Sequence, residues 1–97
     1  MLEKEIEKYL CDRVKLMGGL CEKFTSPNRR SVPDRMITMP KGIIHFVECK
    51  APNKKPTEAQ QRDHKRRFEL GVIVHVLDSK SKVDEWINEV TKIYYEN

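Results

Sequence analysis

The chain has 97 residues, of which 35% are charged, with 19 lysines and arginines against 15 aspartates and glutamates. A formal charge of +4 favours a polyanionic partner, and the length suits one domain, residues 1–97, with one modest core. No apolar run approaches the ~20 residues that a bilayer span needs, and the polar N-terminus is unlike a secretory or transit peptide. We therefore expect a soluble, intracellular protein.

The first predicted element is an amphipathic helix over residues 2–17. Apolar residues recur on one face at helical spacing, and Gly18-Gly19 ends the pattern. Glu3 falls inside the apolar arc and Glu7 lies at its border, one turn later. An acid in this position is usually one that reaches solvent from a helix end.

Three cysteines, Cys11, Cys21 and Cys49, show neither CxxC spacing nor a zinc-type arrangement with the histidines. The odd count without an export signal indicates a reducing interior. We expect each cysteine to act as a small, buried or half-buried apolar residue.

A strand at 20–25 and a loop at 26–31 lead to the most informative stretch. Two apolar runs, 36–39 and 43–47, flank Pro40-Lys41-Gly42, which is typical of a hairpin turn. Residues two apart in a strand share a face, so Glu48 and Lys50 project together. The hairpin brings the Asp34 carboxylate towards Glu48.

The remaining elements are a basic loop at 51–56, a helix, a strand and a helix. Thr57 is predicted to cap a helix that reaches Leu70 and ends at Gly71. The apolar run 72–77 predicts a fourth strand in a central position, and Ser79 or Ser81 caps the last helix. On that helix Trp86 and Tyr94 share a stripe that should pack on the sheet. This order favours an α/β sandwich.

Two acids and one lysine at one sheet end suit phosphodiester hydrolysis. Carboxylate oxygens are the ligands that Mg²⁺ or Mn²⁺ prefers, and an adjacent lysine stabilises negative charge that develops on a phosphate. Alternatively, Glu48 and Lys50 form an exposed ion pair worth about 0–1 kcal/mol. The apolar surroundings of Glu48 and the basic residues that follow favour the metal site.

The pattern Pro33-Asp34 followed by Glu48-x-Lys50 resembles the PD-(D/E)xK nuclease superfamily. With Arg-Ser-Val-Pro-Asp before it and Lys-Pro-Thr-x-x-Gln after it, nearly the whole chain resembles the small VRR-NUC branch. That branch includes stand-alone phage-type nucleases and the nuclease module of Fanconi-anaemia-associated nuclease. The resemblance implies a restriction-endonuclease-like αβββαβ(α) core with a mixed four-stranded sheet flanked by helices.

The resemblance also implies roles for further residues. A first-helix glutamate often completes the acidic cluster, and Glu3 and Glu7 remain alternatives, with Glu3 slightly favoured by where it faces. Gln60 should point back at the acids in a supporting role. The family's glutamate-aliphatic-lysine is here Glu48-Cys49-Lys50, in which the Cys49 carbonyl stays available as a metal ligand.

The basic residues near the site are candidates for contact with DNA. The loop before Asp34 carries Arg29 and Arg30, which form either a phosphate clamp or merely an exposed turn; we favour the clamp. The other candidates are Lys54, Lys55, Lys65 and Arg66. His64 and His75 receive no role, because a metal that activates water makes a histidine base unnecessary.

The expected activity is Mg²⁺- or Mn²⁺-dependent endonucleolytic cleavage of DNA. A preference for branched or four-way junctions follows only from the similarity of small VRR-NUC proteins to Holliday-junction resolvases. A non-catalytic nucleic-acid-binding module is the alternative. A phage-encoded protein would work in the cytoplasm of a bacterial host.

Two symmetric cuts in a junction need two metal sites, so we expect a homodimer. Tyr95, Met36 and Met39 are candidate exposed contacts. The alternative is a monomer that nicks one strand.

Overall fold

The computed structural model describes residues 1–29 and 31–96, and its elements follow the predicted order. The helices are α1 (Glu3–Leu16), α2 (Glu58–Glu69) and α3 (Lys80–Tyr94). The strands are β1 (Leu20–Lys23), β2 (Arg35–Met39), β3 (Ile43–Cys49) and β4 (Val74–Leu77). A short 3-10 turn, Pro40–Gly42, joins β2 to β3 as the hairpin signal predicts.

The four strands form one mixed sheet in the order β1-β2-β3-β4. β1, β2 and β3 pair antiparallel, and β4 lies parallel to β3. The predicted α/β class, with a mixed four-stranded sheet between helices, is therefore confirmed.

The hydrophobic core lies between the sheet and the pair α1 and α3. From α1 it receives Ile6, Leu10 and Val14, all fully buried. From the sheet and α3 it receives Ile37, Met39, Val47, Cys49, Leu77, Val83, Trp86, Ile87 and Val90. The apolar stripe of the first helix thus packs as its spacing predicts.

β4 is an edge strand, so the prediction of a central position is wrong. It pairs with β3 and, within the part of the chain that the structure describes, with no other strand. Helices α2 and α3 both contact it, so its side chains are covered on each face of the sheet. An edge strand covered on both faces needs apolar side chains as much as a central strand does.

A tight turn reverses the chain between α1 and β1. Gly18 has φ +82°, and a Cβ at Gly19 would lie 2.8 Å from the Met39 sulfur and 2.9 Å from the Thr38 carbonyl oxygen. Only glycine accepts this combination of left-handed backbone and close approach. The turn folds β1 back alongside α1.

That reversal brings Cys11 of α1 and Cys21 of β1 together as a disulfide, with Cα atoms 5.2 Å apart. The expectation of three reduced cysteines is therefore wrong for this pair. Cys49 is a free, buried thiol, as expected. Because the cysteines are ten residues apart, nothing in their spacing indicated that a helix and a strand would align them.

Two of the residues predicted to contact a second subunit instead pack or form hydrogen bonds within the chain. Met39 is only 2% exposed and belongs to the core. Tyr95 is half-buried, and its hydroxyl donates a hydrogen bond to the Pro40 carbonyl at 2.7 Å. Met36 is half-buried as well. Trp86 packs against the sheet as predicted, whereas Tyr94 is 39% exposed.

None of the helices in residues 1–29 and 31–96 is long and apolar enough to cross a bilayer.

Candidate active site

The register of the hairpin places Asp34 opposite Glu48. Arg35 pairs with Val47 in the antiparallel ladder, so the next step of the same register sets Asp34 against Glu48. Strand alternation puts Glu48 on the face that carries Ile44 and Phe46, away from the apolar core. The two acids that the sequence singled out are therefore neighbours at one end of the sheet.

Helix α1 adds two carboxylates to this end. Oxygen atoms of Glu3, Glu7 and Asp34 all lie within 4.8 Å of one another. The Cys49 backbone N–H donates to Asp34 Oδ2 at 3.0 Å and orients that carboxylate. Glu7 also lies 3.5 Å from an Arg35 nitrogen. The structure thus brings both first-helix candidates to the site.

Glu48 is not among the three acids whose oxygens lie within 4.8 Å of one another, and its side chain is fully buried. Burial raises its pKa to about 9, and the hydrogen bond and negative charge of Asp34 act in the same direction. The Lys50 ammonium opposes this rise. Burial, followed by the charge of Asp34, raises the pKa of Glu3 as well. Burial and the neighbouring carboxylates therefore both disfavour a charged Glu48 unless a cation is bound.

Cys49 contributes its backbone to the site and its side chain to the core. The thiol is fully buried, and burial raises its pKa to about 12, so it is not a nucleophile or a thiolate ligand. The next residue, Lys50, donates its backbone N–H to Leu77 O at 3.0 Å. This bond extends the β3–β4 pairing past the end of β3.

Helix α2 lies against Glu48 from the other side. Thr57 caps the helix and forms a capping box with Gln60, whose Oε1 accepts from the Thr57 N–H at 2.9 Å. The same Gln60 side chain donates Nε2 to Glu48 Oε2 at 3.2 Å. Gln60 therefore points back at the acids, as the resemblance implied.

His64, one turn after Gln60, also faces Glu48, and the sequence reasoning missed it. Its Nε2 lies 3.5 Å from Glu48 Oε1. The signal was available, since residues four apart on a helix share a face and Gln60 already marked the inward face.

The candidate DNA contacts are dispersed. Arg29 donates to the buried Asp63 at 3.0 Å, and Lys54 and Lys55 are exposed in the loop after β3. Lys65 and Arg66 are exposed on α2, on the side away from Glu48. Arg30 lies outside the described residues.

The donor set fits a divalent cation. It offers several carboxylate oxygens within reach of one another, which is the ligand type that Mg²⁺ and Mn²⁺ take. Buried like charges repel one another, and a bound cation removes that cost. Glu48 Oε1 is buried and makes no hydrogen bond within residues 1–29 and 31–96, which leaves it able to accept a cation or a donor.

Known proteins with similar sequence and structure point to one family, although no family model matches the chain. The chain is 55% identical over 78 residues to "Putative nuclease p44" of Acyrthosiphon pisum secondary endosymbiont phage 1, covering 80% of this chain and 84% of that protein. A solved structure described as a VRR_NUC domain superimposes with a TM-score of 0.82 at 35% identity, over 96% of this chain and 97% of that one. The restriction-endonuclease-like fold that the resemblance implied is thereby confirmed. The chain belongs to the VRR-NUC family of nucleases.

Proposed function

We propose that this protein is a metal-dependent DNA endonuclease that prefers branched or four-way junction DNA. The observation that carries the proposal is the convergence of the Glu3, Glu7 and Asp34 carboxylates beside a buried Glu48. The preference for junctions is supported only by the likeness of small VRR-NUC proteins to Holliday-junction resolvases.

The residues of the candidate active site have separate roles in the proposed reaction. Asp34, Glu48 and the Cys49 carbonyl, together with Glu3 or Glu7, would hold Mg²⁺ or Mn²⁺. Such a cation acidifies water and neutralises phosphate charge. Lys50 stabilises the charge that grows on the phosphate as a water oxygen joins phosphorus and one P–O ester bond breaks. Gln60 holds the Glu48 carboxylate in place through its Nε2.

Glu3 is the stronger candidate for the first-helix ligand. Glu7 lies 3.5 Å from an Arg35 nitrogen, so part of its charge is already balanced. Glu3→Gln should therefore weaken Mn²⁺ binding more than Glu7→Gln does. Glu5→Gln, which changes an exposed acid of the same helix, is the matched control.

Cleavage of labelled linear, flapped and four-way DNA with Mg²⁺, Mn²⁺ or EDTA tests the activity. Asp34→Asn and Glu48→Gln should abolish cleavage and leave DNA binding largely intact, because they remove only charge at the site. Glu58→Gln, an exposed acid of α2, should cleave normally. Full cleavage in EDTA or by either site variant would refute the proposal. DNA binding without cleavage under every condition would support a non-catalytic binding module.

We further propose that the working unit is a homodimer, since two symmetric cuts require two sites. Exposed apolar side chains around the start of β4 support it, because Ile44 is 54% exposed, Ile73 58% and Ile93 64%. These three replace Met39 as candidate contacts. Light scattering should give about twice the chain mass of 11.5 kDa. A mass of one chain that persists with junction DNA present would favour a monomer that nicks.

A further inference from the structure

Two side chains of α2 approach the two oxygens of Glu48 separately. Gln60 Nε2 lies 3.2 Å from Oε2, and His64 Nε2 lies 3.5 Å from Oε1. The two residues are four apart, so both project from one face of the helix. Glu48 thus has a nitrogen facing each of its carboxyl oxygens from the same side.

The His64 contact joins two polar atoms that otherwise lack partners. Glu48 Oε1 and His64 Nε2 are both buried, and neither forms a hydrogen bond with any residue that the structure describes. The His64 side chain is 16% exposed and the Glu48 side chain 0%. Buried donors and acceptors cost free energy when left unpaired, so closing a 3.5 Å gap to hydrogen-bond distance satisfies both atoms at once.

We propose that His64 is a positioning residue for Glu48, which it holds by donating a hydrogen bond from Nε2 to Oε1. With Gln60 on Oε2, this bond fixes the plane of the carboxylate from the α2 side. The remaining lone pairs then face Asp34 and the first-helix acids. His64 touches neither DNA nor metal in this role. The inference rests on the proposed function, in which Glu48 is a ligand of a divalent cation.

The test measures Mn²⁺ affinity by titration calorimetry without DNA, so that its readout does not depend on cleavage. His64→Leu removes the donor and should weaken Mn²⁺ binding about 10- to 100-fold, as loss of a partner of a metal ligand commonly does. His64→Gln places an amide N–H near the position of Nε2 and should restore affinity to within about threefold of the original protein. His75→Gln, on the opposite face of the sheet, is the matched control.

Each outcome decides between the two proposals. A folded His64→Leu protein with unchanged Mn²⁺ affinity would overturn the positioning role while leaving the metal site intact. If His64→Gln binds Mn²⁺ as weakly as His64→Leu, an N–H donor at this position does not support the affinity, and the proposed hydrogen-bond role is wrong. If the unaltered protein binds no Mn²⁺, the proposed function fails, and the positioning role fails with it.

A variant that does not fold is also covered. Should His64→Leu fail to fold, His64→Asn takes its place, because asparagine is polar but too short for its amide to reach Oε1. The original protein should then bind Mn²⁺ most tightly, with the His64→Gln protein close behind and the His64→Asn protein about 10-fold or more weaker. Equal affinity of the two amide variants would overturn the proposal.

Discussion

The two faces of the sheet are closed by helices of opposite character. On one face α1 and α3 bury seven apolar side chains, whereas the only buried residue of α2 on the other face is Asp63. The inward positions of α2 are polar, namely Gln60, Asp63, His64 and Arg67. The first face therefore supplies stability by apolar burial, and the second is organised by hydrogen bonds around the acids of the site.

The polar face also ties the loop before Asp34 to α2. Asp63 accepts from Arg29 at 3.0 Å and from Arg67 at 2.7 Å. The Arg67 guanidinium lies 5.7 Å and 5.5 Å from the ring centroids of Phe24 and Phe46. Cation–π contacts and a buried carboxylate thus replace an apolar core here. Four predictions test this contrast, in decreasing order of effect.

Truncating the apolar face should destabilise the protein most. Leu10→Ala leaves a cavity at a fully buried position and should lower the free energy of unfolding by about 2–5 kcal/mol. Leu16→Ala in the same helix removes a side chain that is 82% exposed and should change it by less than about 0.5 kcal/mol. Urea unfolding measures both, and cleavage per folded molecule should stay constant. Equal losses for the two leucines would show that α1 does not carry the core.

Removing a side chain of the candidate active site should lower activity and leave the free energy of unfolding almost unchanged. Lys50→Ala should lower turnover by about 10²-fold, as expected for loss of one electrostatic stabiliser, with little change in urea unfolding. Lys15→Ala, at an exposed position on α1, should cleave normally. An unchanged rate for Lys50→Ala would reduce Glu48 and Lys50 to a structural ion pair.

The contrast between the faces also explains what the sequence could predict. Periodicity located the helices and strands to within about two residues, because the apolar face imposes a regular pattern on α1, β3 and α3. The motif singled out Asp34, Glu48 and Gln60, which lie close together in the fold, and their roles stay a prediction. By contrast, Asp63 and His64 lie on a helix with no apolar stripe, so a pattern of apolar residues could not reveal their inward face. The Cys11–Cys21 pairing and the edge position of β4 depend on which elements become neighbours in space, which local patterns do not report.

The third prediction uses the buried acid as a probe of the polar face. A carboxyl whose pKa rises from 4.5 to about 9 on folding binds more protons in the native than in the unfolded state between these values. The raised pKa therefore increases the free energy of unfolding at low pH. This contribution is lost as pH rises, by at most ~1.4 kcal/mol per pH unit. Burial lowers the pKa values of His45, His64 and His75, which gives the opposite trend near pH 6.

The window from about pH 8 to 9 separates these effects, because a histidine with its ordinary pKa of 6.5 is almost entirely neutral there, and the lowered pKa values in the fold keep it so. In EDTA, urea unfolding should show stability falling across this window, and Glu48→Gln should make the fall shallower. The buried Cys49 thiol, whose pKa is also raised, accounts for the fall that remains. Glu58→Gln, at an exposed position, should keep the full fall. A Glu48→Gln protein with the same slope as the original would show that Glu48 is ionised in the metal-free fold.

The smallest effect concerns the charges at the rim of the polar face. Lys54 and Lys55 are exposed and make no ion pair within residues 1–29 and 31–96, so each is free to contact a phosphate. Replacing either with alanine should lower the slope of log K against log salt by about 0.9, the value for one phosphate contact on duplex DNA. Arg29→Ala should lower it by less, because one guanidinium nitrogen already pairs with Asp63. Lys92→Ala on α3 is the control, and a larger change there than at Lys54 would place DNA on the apolar side of the sheet.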